Sequence, residues 1–222
     1  MLKLNSISFR YDMTSPLLIN NFSFNAEKGD IIAVRGDSGT GKTTLLNIIC
    51  SVIPKIFPGD LSGTISYNNI DISELSLPEV APQISLLMQH PDNQLFFPTV
   101  EQELAFAPEN LKIPSKDILK RIVEVLAKLD IEDLRHKETA SLSFGQKKLV
   151  TLASILTLSP DVYLLDEPFA GLSQKYIKLI SDEIKTQADN EKIIFLASHT
   201  NDIAQFANKT IEMEKLNEKH QD

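Results

Sequence analysis

The sequence predicts an α/β protein: a mainly parallel core sheet, an antiparallel β-subdomain and an inserted helical subdomain. Three observations lead there. Four short runs are apolar, but for Ser85 in the second, and end in polar residues: Ile31 to Val34 before a glycine-rich loop, Ile84 to Met88 before Gln89, Val162 to Leu165 before Asp166 and Glu167, and Ile193 to Ala197 before Ser198 and His199. Near-continuous apolar strands of this kind belong to a parallel sheet covered on both faces. Residues 1 to about 75 instead carry period-two runs, with Leu2 and Leu4, then Ile7, Phe9 and Tyr11, then Phe22 and Phe24, then Ile65 and Tyr67 before the turn signal Asn68-Asn69. They read as short, mostly antiparallel strands. Residues about 90 to 158 have helical spacing: Thr99 opens a Thr-x-x-Gln capping box ahead of Leu104, and Ser115 precedes Ile118, Ile122, Val125, Leu126 and Leu129.

A chain of 222 residues can bury about 70% or more of its unfolded surface, so residues 1–222 are expected to form one domain that contains the helical subdomain. A net charge of -8 and a pI near 5.1 argue against a general affinity for nucleic acid or anionic lipid. Cys50 is the single cysteine and has no internal disulfide partner. With no charged-then-apolar leader, the chain is expected to be unprocessed and cytosolic. No window approaches the ~20 apolar residues of a membrane span, so any membrane role runs through a partner. There is no low-complexity tract, solenoid repeat or flexible linker.

In open parallel sheets, ligands sit beyond the carboxyl ends of the strands. The four apolar runs would deliver Lys42, Gln89, Asp166 with Glu167, and His199 to one such edge. The loop Gly36-Asp37-Ser38-Gly39-Thr40-Gly41-Lys42-Thr43, followed by Thr44, fits G-x-x-x-x-G-K-[ST] between a strand and a helix. Its backbone N–H groups would cradle phosphates, Lys42 would reach the outer ones, and the Thr43 hydroxyl would ligate Mg²⁺. The bland alternative is a glycine-rich turn, which the Lys-Thr ending disfavours. Asp166 suits the Mg²⁺ shell and Glu167 suits a general base for water, against the alternative that both only cap a following turn. His199 could bond a terminal phosphate or simply satisfy local backbone. His90, His136 and His220 have only a structural reading, since no pair of them has metal-ligand spacing. Ser143 and Gln146 form a capping box ahead of Leu149, Leu152, Ala153 and Leu156, so a helix begins there with its N–H groups open to an anion; an ordinary capped helix is the alternative.

The order of these segments, with Leu142-Ser143-Phe144-Gly145-Gln146 about 20 residues before Leu164-Leu165-Asp166-Glu167-Pro168, resembles the nucleotide-binding domain of ABC transporters along nearly the whole chain. The resemblance implies a P-loop NTPase of ABC type that hydrolyses ATP with Mg²⁺. Gln89 would then serve the metal and catalysis, and Tyr11 would stack on adenine, with a plain core or edge-strand aromatic as the alternative. Ser143, Gly145 and Gln146 would contact the γ-phosphate of ATP held by a second, facing ATPase subunit, identical or related. The stretch Gln89-His90-Pro91-Asp92-Asn93-Gln94-Leu95-Phe96, the following Pro98 to Leu111, and Ile53 to Gly63 are similar to ATPase subunits of energy-coupling factor (ECF) transporters. Those subunits power import of vitamins and transition-metal ions. That likeness implies a transmembrane coupling subunit and a substrate-binding membrane subunit as partners, no nucleic acid, and a peripheral position on the cytoplasmic face of the membrane. Leu95, Phe96 and Phe97 are the expected docking residues, with packing inside the subdomain as the rival.

Three positions depart from the family pattern: Phe144 stands where glycine is usual, Leu149 where arginine is usual, and Ser173 where aspartate is usual. They bear on the symmetry of the dimer rather than the fold. With few residues after Glu214, the chain is expected to lack the C-terminal extension of many ECF ATPases. Cys50 reads as a small buried apolar residue. Three function classes stay in view: a transport ATPase subunit; a soluble ABC ATPase, disfavoured by the acidic surface and the lack of a basic or coiled-coil insertion; and an ordinary P-loop kinase or GTPase.

Overall fold

The computed structural model describes residues 1–199, 203 and 205–217. In chain order its elements are β1 (Leu2–Arg10), β2 (Ile19–Ala26), β3 (Ile31–Arg35), α1 (Lys42–Ile49), α2 (Val52–Lys55), β4 (Asp60–Tyr67), β5 (Ile70–Asp71), α3 (Leu77–Val80), β6 (Ile84–Leu87), α4 (Val100–Asn110), α5 (Ser115–Lys128), α6 (Phe144–Leu158), β7 (Val162–Asp166), α7 (Gln174–Asp189), β8 (Ile193–Ser198), β9 (Lys209–Glu212) and α8 (Met213–Asn217). They fall into two compact units. The first comprises Met1–Leu86, Asp161–Asp166 and the described residues from Gln187 onward; the second comprises Leu87–Pro160 and Glu167–Thr186.

The first unit holds two sheets. One is ordered β2-β1-β4-β5, and β1 pairs antiparallel with both β2 and β4. Leu2 and Leu4 lie at even positions and Ile7 and Phe9 at odd ones, yet all four are buried. Strict alternation would turn one pair to solvent. The register shifts between Leu4 and Ile7, where Ser6 adopts φ 51, so a bulge inserts one residue and returns the odd positions to the core. The bulged Ser6 N–H donates to Ser23 Oγ at 2.8 Å. On the facing strand Gly63 has φ +94, and a Cβ there would come within 2.6 Å of the Asn5 and Ser6 carbonyl oxygens, so the bulge requires glycine opposite it. Asn68 and Asn69 take φ 50 and 66 and close the β4–β5 hairpin, as their residue type favours.

The other sheet is ordered β6-β7-β8-β3-β9. β7 pairs parallel with β8, and β3 pairs parallel with both β8 and β9. The registers bring Asp166 level with Ala197, and Arg35 level with both Ser198 and Glu212. β7 and β8 are buried at every residue, as the unbroken apolar runs predict. The fifth strand, β9, has no counterpart among the four apolar runs. As an edge strand it buries only Ile211 and carries Lys209, Thr210 and Glu212 around it. Polar contacts fasten it: Lys209 Nζ donates to Asp30 Oδ2 at 2.7 Å, and the Ile31 N–H donates to Asn208 Oδ1 at 3.0 Å. Cys50 closes α1 as a buried residue, and burial pushes its thiol up to about 11.

The second unit is helical. Thr99 and Gln102 form the expected capping box before α4. α5 buries Ile118, Ile122, Val125 and Leu126. α6 buries Leu149, Leu152, Ala153 and Leu156, the stripe read from the sequence. The unit extends past the expected limit near residue 158, because residues 167–186 also belong to it. α7 buries Ile180 and Ile184, and Lys128 Nζ on α5 lies 3.1 Å from Glu183 Oε1 on α7. His90 is exposed, while His136 Nδ1 lies 3.2 Å from Glu101 Oε2; His220 lies outside the described residues. No helix among the described residues is long and apolar enough to cross a membrane.

Candidate functional site

In the first unit, β3 runs into the exposed loop Asp37–Gly39, and α1 begins at Lys42. Gly41 occupies the N-cap position with φ 100, and an added Cβ would stand 3.0 Å from the Leu18 side chain. No side chain caps this helix and no acid lies in its first turn, so its leading N–H groups offer an anion site. The buried Lys42 ammonium donates to the Gly36 carbonyl at 2.7 Å and to the Asp37 carbonyl at 2.9 Å, which shapes the loop around a positive charge. Thr40 Oγ1 donates to the same Asp37 carbonyl at 2.8 Å. Ser38 and Gly39 are exposed at the tip of the loop.

Thr43 Oγ1 donates to Asp166 Oδ2 at 2.6 Å, joining the start of α1 to the end of β7. Asp166 is 2% exposed. A buried carboxylate beside a hydroxyl is an all-oxygen donor set that fits a hard divalent cation. Among the described residues no group of three or more His, Cys, Asp or Glu could hold a metal alone. A cation here would therefore complete its shell with phosphate and water, as Mg²⁺ does with nucleotides. Thr44 is buried, and its Oγ1 lies 2.6 Å from the Tyr11 hydroxyl. Tyr11 is 54% exposed, and its ring and that of Phe9 form a T-shaped pair with centroids 5.0 Å apart. His199, just past β8, lines a polar cavity of about 280 Å³ with Arg35, Asp37, Glu212 and Glu214.

Glu214 was not signalled by the sequence. Its Oε1 accepts the Asp37 N–H at 2.8 Å. That bond, aided by Lys42 and Arg35, holds its carboxyl below the usual range. The only local cue is an acidic residue in the first turn of α8, two positions beyond an edge strand.

In the second unit, Gln89 is exposed just beyond β6. Glu167 is buried and has a left-handed backbone with φ 49. Its carbonyl accepts hydrogen bonds from the Ala170 N–H at 3.3 Å and from the Lys148 ammonium. At the start of α6, Ser143 Oγ accepts the Gln146 N–H at 3.3 Å while Gln146 Oε1 accepts the Ser143 N–H at 3.0 Å. This reciprocal cap leaves Ser143 and Phe144 exposed and Gly145 half-buried. The Phe144 ring, 44% exposed, rests on the Gly171 backbone. Leu149 is fully buried, so its apolar character follows from core packing. Ser173 stands just before α7, where its carbonyl accepts the Ile177 N–H at 3.0 Å.

The stretch Leu95–Phe97 is partly exposed and partly packed. Phe96 is 65% exposed, and Leu95 and Phe97 are half-buried. The Phe96 and Phe97 rings also pack on Phe106, at 5.1 and 4.9 Å. With Asp92, Pro98, Glu138 and Lys147, these residues line a cavity of about 480 Å³.

A glycine-rich loop between strand and helix, ending in Lys42 and Thr43, with the threonine bonded to a strand-end aspartate, defines a P-loop nucleoside triphosphatase. Residues 19–170 match the family model described as ABC transporter, and the chain belongs to that family, whose ATP-binding domains hydrolyse ATP. It is 34% identical over 209 residues to the energy-coupling factor transporter ATP-binding protein EcfA2 of Clostridium perfringens, spanning 91% of this chain and 70% of that protein. The structure of cbiO1 from Clostridium perfringens, part of the ABC transporter complex cbiONQ, aligns with a TM-score of 0.80 and 31% identity over 95% of this chain and 83% of that one. A second ABC transporter ATP-binding subunit aligns with a TM-score of 0.83 at 21% identity, a likeness of fold. The chain spans 30% to 44% of the length of other curated relatives that share only a general ABC transporter ATP-binding description.

Proposed function

We propose that this chain is the ATP-hydrolysing subunit that powers import of a small solute, a vitamin or a transition-metal ion, through an ECF-type ABC transporter. The observation that carries the reading is a likeness in both sequence and structure to ATPases of that kind: EcfA2 over most of both chains, and cbiO1 of the cbiONQ complex. The second reading is an ATPase of another ABC importer, which the longer relatives with a general ABC transporter description favour, or a soluble non-transport ABC ATPase.

In this reading the whole chain works as one ATPase domain. Gly36 to Thr44 bind the phosphates, with Lys42 neutralising the outer ones, and Tyr11 stacks on adenine. Thr43 and Asp166, with Gln89, hold Mg²⁺, which when bound neutralises charge on the phosphates. Glu167 takes the proton of the attacking water, and His199 donates to the terminal phosphate. Ser143, Gly145 and Gln146 offer the start of α6 to ATP on a second ATPase subunit, identical or related.

The partners are that subunit, a transmembrane coupling subunit and a substrate-binding membrane subunit, which hold the chain at the cytoplasmic face of the membrane. The exposed Phe96 ring, beside a cavity that Asp92, Glu138 and Lys147 also line, supports a docked membrane element. The test is a mild-detergent pull-down with the full-length chain as bait. Integral membrane subunits should co-purify with the parent and be lost with Phe96→Asp, while its melting temperature and ATP binding stay near the parent values. Capture of soluble proteins alone would refute import. Retention by Phe96→Asp, or its unfolding, would refute this docking surface.

A further inference from the structure

Lys148 is among the largest fully buried side chains of the protein, at 1% exposure. A buried ammonium is costly unless its donors are satisfied. It donates to two main-chain oxygens: the Glu167 carbonyl, and the Ala170 carbonyl at 3.5 Å. Those two oxygens belong to one turn, Glu167-Pro168-Phe169-Ala170, closed by the Ala170 N–H donating back to the Glu167 carbonyl at 3.3 Å. Glu167 opens that turn with φ 49, a left-handed conformation that a glutamate adopts at a cost and keeps only where its surroundings impose it. Lys148 opens the buried stretch Lys148–Ala153 of α6, and its ammonium stands 5.9 Å from the centre of the Phe144 ring. A rigid helix thus projects a cation onto the carbonyl of the residue read as the general base.

We infer that Lys148 is a positioning residue: by holding the Glu167 and Ala170 carbonyls it imposes the left-handed backbone that aims the Glu167 carboxylate. The inference rests on the reading of Glu167 as general base. A purely structural role, in which the ammonium only fills space under the turn, makes different predictions.

The test uses the full-length protein in its purified assembly and compares Lys148→Met, Lys148→Gln, Glu167→Gln and the Lys148→Met/Glu167→Gln double variant. Misplacing a catalytic group by about 1 Å costs on the order of 10²-fold, so Lys148→Met should lower kcat by ~10- to 100-fold with KM and ATP affinity within about threefold of the parent. Lys148→Gln keeps an N–H donor and should recover part of that loss. In the Glu167→Gln background, Lys148→Met should add less than about twofold, because a residue acting through Glu167 has nothing left to position. Independently of activity, amide hydrogen exchange at residues 169–172 should rise in Lys148→Met without nucleotide. Parental kcat in Lys148→Met, an undiminished effect in the double variant, unchanged exchange, or loss of the fold in both Lys148 variants would each overturn the inference. Parental turnover in Glu167→Gln alone would remove the general-base reading, and the exchange measurement would still decide whether Lys148 clamps the turn.

Discussion

Removing the Glu103 carboxylate should loosen the loop that carries Phe96. Glu103 on α4 is buried, and its Oε2 accepts two main-chain donors, the Phe96 N–H at 3.0 Å and the Phe97 N–H at 2.9 Å. A hydrogen bond to a charged group contributes about 1.5–3 kcal/mol, and a donor left unsatisfied costs about 1–3 kcal/mol. Phe96 is exposed, so water can reach its N–H and recover part of that loss; the half-buried Phe97 is less accessible. Glu103→Ala should therefore cost about 3 kcal/mol. At roughly 2–4 °C per kcal/mol for a chain of this size, the melting temperature should fall by about 6–12 °C. Glu103→Gln keeps an acceptor oxygen but no charge and should cost about 1 kcal/mol, or roughly 2–4 °C. Thermal melting of the full-length protein, followed by circular dichroism at 222 nm, reads both. A Glu103→Ala protein melting within about 2 °C of the parent, or a Glu103→Gln protein as damaged as the alanine variant, would show that the two N–H bonds do not hold this loop.

Three other outcomes are expected. Glu167→Gln should bind ATP as the parent does and turn over at least ~10²-fold more slowly, whereas Lys42→Ala should weaken nucleotide binding itself; equilibrium binding and single-turnover hydrolysis separate the two, and parental turnover in Glu167→Gln refutes its role. The full-length Glu167→Gln protein should be largely monomeric without nucleotide and should form a dimer, or join a related ATPase, with Mg·ATP. Light scattering reads this, and a chain that stays monomeric with all partners present contradicts a shared site at Ser143. Burial raises the Cys50 thiol from 9.0 to about 11. Its share of stability is complete below the unfolded pKa and is lost as pH rises through the folded one, so the parent should lose about 2–3 kcal/mol relative to Cys50→Ala between pH ~9 and ~11. Parallel denaturation curves over that range would exclude the linkage.

Much of the fold is legible in the sequence because it is decided within a few residues. The capping boxes at Thr99 and Ser143 need only a hydroxyl and an amide three positions apart, and both form. The doubly covered strands β7 and β8 need only an apolar run of the right length. β9 escapes the same test because an edge strand is covered on one side and spends its other residues on polar contacts such as Lys209 with Asp30. The β1 pattern is a mixed case: its change from even to odd apolar positions is visible in the sequence, while the bulge at Ser6 that explains it depends on the facing strand and Gly63.

By itself, the sequence determines the glycine-rich loop, the helix that starts at Lys42, the capped start of α6 and the apolar strands, since each depends on backbone sterics and bonds between near neighbours. The tertiary structure decides which groups then meet. Thr43 reaches Asp166 across 123 positions and Asp37 reaches Glu214 across 177, because strand order places β7 and β9 where their ends can touch the loop region. Lys148 and Glu167 are only 19 positions apart, yet nothing in either segment marks the contact. A lysine reads as a solvated surface charge until the packing of α6 buries it and brings its ammonium to carbonyls of the turn that begins at Glu167.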